Sequence, residues 1–458
     1  IYFTASQDTI SYVLEHSESK AIFMGKLDDM AGQLQAVPEH VQRFSFPYET
    51  APNSLSWIEL LNHEPLSGTP NRDINEVMSI VYTSGSTGKP KGIVDTFGAF
   101  AAACQTFQKT LPATQNERVI SYLPLAHITE RVVVEGGSFY VGFSVSFVES
   151  LDTFTDNVKM TQPTMFLSVP RLWSRFQMGI LAQVPQKKLD LLLSIPIVNK
   201  LVARKIRKGL GLDKAIIFGS GSAPLSPAVI KWFSRIGIDI CEGWGMSENN
   251  GAGTVSYPFR ADKIGSIGRA QVPADLRISE EGEIQVRGKN LMREYYKDPE
   301  QTREVYTDDG WLKTGDKGSI DSEGYVRITG RIKEIFKTAK GKYIAPVPIE
   351  ALLMENSYIE QVCVTGVNLK QPIALIVLAP ETASVNRSEL TASLEKTLDK
   401  VNAELESHEL LDALLVVSES WTAENGLLTP TLKIKRSEVE KKYSDIIETS
   451  YQSRVNYL

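Results

Sequence analysis

Residues 82–92 bring together the groups that hold a polyanion: Tyr82, Thr83, Ser84, Gly85, Ser86, Thr87, Gly88, Lys89, Pro90, Lys91 and Gly92. Glycine lets a chain turn tightly and present backbone N–H groups to an anion. Four hydroxyls add side-chain donors, and Lys89 and Lys91 supply positive charge. The order is not that of a Walker A loop, which needs a glycine, four residues, then Gly-Lys-Ser/Thr. Here Pro90 follows Lys89, so no continuous helix opens in the usual way. Apolar residues before the run (Val77, Met78, Ile80, Val81) and after it (Ile93, Val94) predict strand–loop–strand. A solvated turn rarely combines these groups, so the run reads as a polyphosphate loop.

Short apolar runs alternate with helical patterns, the mark of an α/β protein. In one unit Ser226 is a good N-cap, Pro227 fits the first helical position and Gly237 ends the helix. Val229, Ile230, Trp232, Phe233 and Ile236 form its apolar face, and residues 238–241 then predict a buried strand. That strand delivers a loop from Glu242 to Glu248 at its carboxyl end, where α/β sheets usually place ligands. Residues 282–330 read as short strands broken by turns at Asp309-Gly310 and Glu323-Gly324. Charged helical patterns dominate from residue 382, which puts a domain boundary near residues 331–333.

At 458 residues the chain is too long for one compact core. Its composition, 42% hydrophobic and 23% charged, is that of an ordinary globular protein. A net charge of −6 speaks against a nucleic-acid partner, and any nucleotide must be held by local donors and metal. Cys104, Cys241 and Cys363 are too scattered for a disulfide framework or a zinc site, as expected in a reducing cytoplasm. The uncharged stretch at residues 136–148 is too short to span a bilayer. The start at Ile1 shows no signal peptide and reads as internal, with upstream sequence expected.

The loop at 82–92 resembles the signature of the adenylate-forming (AMP-binding) enzymes, and further motifs follow in that family's order. Gly243-Trp244-Gly245-Met246-Ser247-Glu248 is similar to its aromatic-Gly-x-Thr-Glu motif. The resemblance implies that Ser247 meets the α-phosphate, Trp244 flanks adenine, and Glu248 holds magnesium with Thr83 assisting. Gly219-Ser220-Gly221-Ser222-Ala223-Pro224 resembles the adenine-side loop. Trp311-Leu312-Lys313-Thr314-Gly315-Asp316 matches the motif whose aspartate accepts both ribose hydroxyls. Gly330-Arg331-Ile332-Lys333 resembles the hinge, with Arg331 near the ribose and Lys333 at the pivot. Residues 337–346, with Lys340 and Gly341, resemble the loop lining the pantetheine tunnel. The segment 425–436 resembles the one carrying the catalytic lysine, here Lys433; Leu432 departs from the glycine usual before it.

Within that family the chain most resembles the long-chain fatty acyl-CoA synthetases. The stretch Leu123-Pro124-Leu125-Ala126-His127-Ile128-Thr129-Glu130-Arg131 carries the likeness and implies His127 near the reacting carboxylate. Val169-Pro170-Arg171-Leu172-Trp173 resembles the segment whose tryptophan gates the fatty-acid tunnel; Trp173 as plain core is the competing reading. The resemblance implies a large multi-sheet AMP-binding domain at 1–331, N-terminally incomplete, and a small mobile α+β domain at 332–458. It implies ATP, Mg2+ and coenzyme A acting on a long-chain fatty acid. An acyl-AMP ligase serving a carrier protein and a non-catalytic AMP-binding protein stay open. So do a homodimer and peripheral contact with the inner membrane surface, the latter suggested by Lys187, Lys188, Lys200, Arg204, Lys205, Arg207 and Lys208 around an apolar stretch.

Overall fold

A computed structural model describes residues 1–27, 29–48, 51–83, 89–272, 274–429, 432–447 and 453–458. Its central sheet runs Arg269–Ala270, Thr254–Val255, Ile240–Trp244, Ile217–Ser220, Met165–Ser168. The last three strands are parallel neighbours. Parallel strands are covered on both faces, and every residue of Ile217–Ser220 is buried. Helices Pro170–Gln183 and Pro227–Ser234 contribute Trp173, Phe176, Trp232 and Phe233 to the same core as Phe166 and Phe218.

The unit at 226–241 folds as its sequence requires, with one shift. The Ser226 hydroxyl accepts from the Ala228 N–H, Pro227 opens the helix, and Val229, Ile230, Trp232 and Phe233 are buried. The strand begins at Ile240 rather than Ile238. Residues 237 and 238 are consumed in closing the helix: Gly237 adopts φ 72°, and its N–H and that of Ile238 donate to Ser234 and Phe233 carbonyls.

Strands Val77–Thr83 and Lys91–Thr96 pair antiparallel, bringing Thr83 opposite Lys91 at the mouth of the predicted loop. Glu294–Tyr295 extends this sheet. Strands Asp275–Ile278, Glu283–Arg287, Leu312–Ile320 and Val326–Arg331 form a separate antiparallel sheet. Within this expected run of strands the chain also builds a helix, Pro299–Val305, capped by the Asp298 carboxylate on the Gln301 N–H. An Asp-Pro pair is a good helix start, so the signal was present.

Beyond the short turn Ile332–Glu334, two apolar cores are built from residues 336–455 alone. Their sheet runs Ile359–Thr365, Ile373–Leu378, Leu414–Val417, Val455–Tyr457. The expected helical texture after residue 382 is thus interrupted by the fully buried strand Leu414–Val417. No helix among the described residues is long and apolar enough to cross a membrane.

Candidate active site

The carboxyl ends of the parallel strands open onto a cleft of about 3860 Å³. Ordinary ligand pockets are about 300–1,000 Å³, so this one has room for a nucleotide and a further substrate together. Thr83, His127, Glu248, Asp316, Arg331, Lys333 and Lys433 all line it, as do the loops at 221–224 and 243–247.

Asp316 sits at the cleft's polar centre. Its Oδ2 accepts from the Trp244 indole N–H at 2.9 Å and its Oδ1 from the Arg331 Nε at 2.7 Å. Three separate motifs therefore meet at one carboxylate. A carboxylate offers about four acceptor positions, so these two bonds leave capacity for ligand hydroxyls. The tryptophan expected beside adenine is oriented here by a carboxylate.

Glu248 follows the strand Ile240–Trp244 on a short turn, and its Oε1 accepts from the Tyr295 hydroxyl at 2.8 Å. Lys91 stands 5.4 Å from the centre of the same ring. Sequence reasoning missed Tyr295; a tyrosine on a two-residue strand carries no spacing signal. Gly245 is demanded by packing, since a Cβ there would lie 2.4 Å from the Gly251 carbonyl oxygen. Magnesium needs oxygen ligands, often one or two carboxylates completed by phosphates and water. Glu248 and Thr83 meet that description, and no cluster of three or more ligating side chains exists among the described residues. The donor set fits a metal that arrives with a polyphosphate.

Positive groups crowd the cleft. Burial and the charge of Lys333 lower the pKa of Lys91. Lys433 lines the cleft with its side chain exposed there; desolvation by the surrounding protein and the charge of Arg331 push its pKa down, against the pull of Asp316, Glu248 and Glu334. Cations held this close favour an anionic ligand. Ser84, Gly85, Ser86, Thr87 and Gly88 lie outside the described residues, as do Pro430 and Thr431. Lys89, at the far edge of the loop, is 5.5 Å from the Tyr12 ring.

His127 is neutral. Its Nδ1 accepts from the Thr129 N–H at 3.2 Å, so Nε2 carries the proton and donates to the Ser222 hydroxyl at 3.3 Å. Burial, aided by Lys433, pushes its pKa down to about 4. Ser222 holds φ 70°, a left-handed conformation that costs a residue with a Cβ about 1–3 kcal/mol. Glu130 of the same motif is buried and bonded to Ser121, and burial raises its carboxyl to about 7.

Three expected residues are elsewhere. Trp173 is fully buried, with its indole N–H on the Gly219 carbonyl at 3.1 Å and Phe166 and Phe233 against its ring. It supports the 219–224 loop from behind; its neighbours Arg171 and Leu172 face the cleft. Lys340 and Gly341 are also away from the cleft wall, and Lys340 bonds to Gln371.

The AMP-binding enzyme family model matches residues 1–296, and the model of the AMP-binding enzyme C-terminal domain matches residues 333–455. A peroxisomal acyl-CoA ligase of Penicillium roqueforti is 30% identical over 99% of this chain and 77% of its own length. A peroxisomal long chain acyl-CoA synthetase of Arabidopsis thaliana is 32% identical over 98% of this chain and 74% of its own. Among solved structures, the adenylation domain of the Segniliparus rugosus carboxylic acid reductase, with AMP and a carboxylic acid, superposes with a TM-score of 0.80 at 20% identity. It covers 98% of this chain and 77% of that one. An anthranilate CoA ligase bound to anthranoyl-AMP gives 0.77 at 20% identity, over 98% and 83%. At such identities these two likenesses concern the fold.

Proposed function

We propose that this chain, which belongs to the AMP-binding enzyme family, joins a long-chain fatty acid to coenzyme A through an acyl-AMP intermediate. The observation that carries this reading is the convergence on one cleft of Lys433, from beyond the turn at 332–334, with Asp316, Arg331 and Glu248 from before it. The names of the relatives supply the substrate class.

In the first step a carboxylate oxygen of the fatty acid attacks the α-phosphorus of ATP. The bond to pyrophosphate breaks, and the acyl-phosphate anhydride remains. The nucleophile is already an anion, so the protein's part is positioning and charge stabilisation. Lys433 neutralises charge developing between the α- and β-phosphates, and the loop at 83–91 holds the outer phosphates. Asp316 accepts the ribose hydroxyls, each bond to a charged acceptor being worth about 1.5–3 kcal/mol. Glu248 with Thr83 would hold magnesium, which would supply further neutralisation of the triphosphate. Neutral His127, donating from Nε2, hydrogen-bonds the reacting carboxylate in place of Ser222. In the second step the coenzyme A thiol attacks the acyl carbonyl and AMP leaves.

Lys433 and the loop at 340–343 cannot serve the cleft at once in this arrangement. We take residues 332–458 as a mobile domain that turns about Lys333 between the two steps. Incubation with ATP, palmitate and coenzyme A, followed by mass detection, tests the whole reading. Palmitoyl-CoA and AMP are expected in equal amounts. Pyrophosphate without palmitoyl-CoA points to another thiol acceptor, and neither product overturns the assignment.

A further inference from the structure

Helices Gln186–Ser194 and Val198–Leu210 form a hairpin that packs Leu189 and Ala203 into the core of the large domain. Its base is pinned. Trp232 donates to Gln186 at 2.9 Å, Arg235 pairs with Asp190 at 2.7 Å, and Arg207 donates to the Ile236 carbonyl. Its tip, Ile195-Pro196-Ile197, is exposed, and the flanking Leu191 and Leu201 are 64% and 63% exposed. Ile197 is 75% exposed at φ 72°. A β-branched residue in the left-handed region is an outlier that persists where something else compensates. Here the strain presents an isoleucine to solvent.

Charge is as uneven as hydrophobicity. Residues 191–212 contain five basic residues and no acidic one, in a chain of net charge −6. Leu201, Arg204, Lys205 and Lys208 recur at three- and four-residue intervals, so they share the exposed face of the second helix. The exposed apolar residues Ile195, Ile197 and Leu201 thus cluster at the tip with Lys200 among them, and Arg204, Lys205 and Lys208 lie behind. From Ile197 to Leu201 is four residues, about 6 Å of helix, which matches the roughly 5–10 Å to which amphipathic helices sink into a lipid interface. Arg204, Lys205 and Lys208 then fall at headgroup level, which Lys200 reaches along its own stem.

We propose that this hairpin docks the protein, tip first, on an anionic lipid bilayer. The cleft also reaches it: Lys188, Leu192, Val202 and Ile206 belong to the cleft wall. An acyl chain taken from the bilayer would thus enter at the docked end. That last step rests on the proposed function, whereas the docking surface does not.

The test is sedimentation of the full chain, without substrates, with phosphatidylcholine vesicles containing or lacking phosphatidylglycerol. Binding is expected to the anionic vesicles alone. Lys200→Gln/Arg204→Gln/Lys208→Gln should weaken it roughly 100-fold. Ile195→Ser/Ile197→Ser/Leu201→Ser should abolish the part that survives high salt, where charge is screened. None of these residues lines the cleft, so ATP–pyrophosphate exchange with a water-soluble acid reports folding of each variant. Ile197→Gly should lower vesicle binding without lowering the melting temperature, because glycine relieves the strained φ. The proposal is overturned if wild type ignores anionic vesicles or if both triple variants bind them as wild type does. It is also overturned if the apolar variant instead splits a dimer, which would make a second copy the occupant.

Discussion

Lys433 is delivered by a turn that Thr429 closes. The Thr429 N–H donates to the Lys433 carbonyl at 2.7 Å, and the Lys433 N–H returns to the Thr429 hydroxyl at 3.1 Å. Between them Leu432 is forced to φ 60°, exposed to solvent. This explains why glycine is usual before the lysine: only glycine takes that conformation without a penalty of about 1–2 kcal/mol. Leu432→Gly should therefore leave adenylation intact. It should raise stability by roughly 0.5–1 kcal/mol after glycine's greater unfolded-state freedom is subtracted, as read from chemical denaturation midpoints; a clear loss would mean the leucine has a packing role. Lys433→Ala should cut acyl-AMP formation by about 10²–10³-fold, the cost of one preorganised transition-state donor. Given synthetic acyl-AMP and coenzyme A, that mutant should still form thioester. Equal losses in both half-reactions would remove Lys433 from the proposed role.

The proposed pivot, Lys333, lies in the one-turn element Ile332–Glu334, between the strand ending at Arg331 and the hairpin strand Phe336–Lys337. Rotation there would change its dihedrals. Proline fixes φ near −65° and removes an N–H, so Lys333→Pro should trap one arrangement. Adenylation is expected to survive and thioesterification to fall steeply, measured as pyrophosphate and acyl-CoA on one preparation of folded protein. If both rates match wild type, Lys333 is not the hinge. At this scale the sequence was legible wherever residue type dictates backbone geometry. The cap at Ser226-Pro227, the strands either side of residues 84–90 and the Gly237 turn all follow from local rules. The partners of these elements were less legible. Nothing in the spacing of Tyr295, or of Asn250 bonded to buried Asp95 at 2.9 Å, reveals that they pack behind Glu248. Such pairs join a strand to a turn far from it in sequence, and type alone carries no record of them. Trp173 shows the converse: its motif suggested the cleft, while three-dimensional packing put it in the core.

Across the whole molecule, two side-chain contacts among the described residues join the parts that bring Lys433 into the cleft, beside the packing of helix Pro346–Leu353 on strand Val326–Arg331. Arg171 pairs with Glu360, and Ser226 donates to Glu355 at 2.9 Å. The Arg171 side chain is 43% exposed, so its ion pair is worth at most about 1 kcal/mol. The bond to Glu355 adds about 1.5–3 kcal/mol before competition from Lys400, which also binds that carboxylate. A clasp of this size suits a domain that must let go. Much stronger contacts would trap the adenylating arrangement, and their absence would leave Lys433 rarely in place. Neither carboxylate has a part in the chemistry proposed above, so Glu355→Gln/Glu360→Gln should act on the equilibrium alone. A loss of about 2 kcal/mol shifts a two-state balance roughly 30-fold. Adenylation should fall by a factor approaching that as the open arrangement comes to dominate. Thioester formation from supplied acyl-AMP and coenzyme A should hold or quicken, and the substrate KM for ATP should rise with the fraction of open molecules. Parallel stopped-flow measurement of the two half-reactions separates this from simple destabilisation, which would depress both. If adenylation is unchanged in the double variant, the two contacts do not hold the lysine in its cleft.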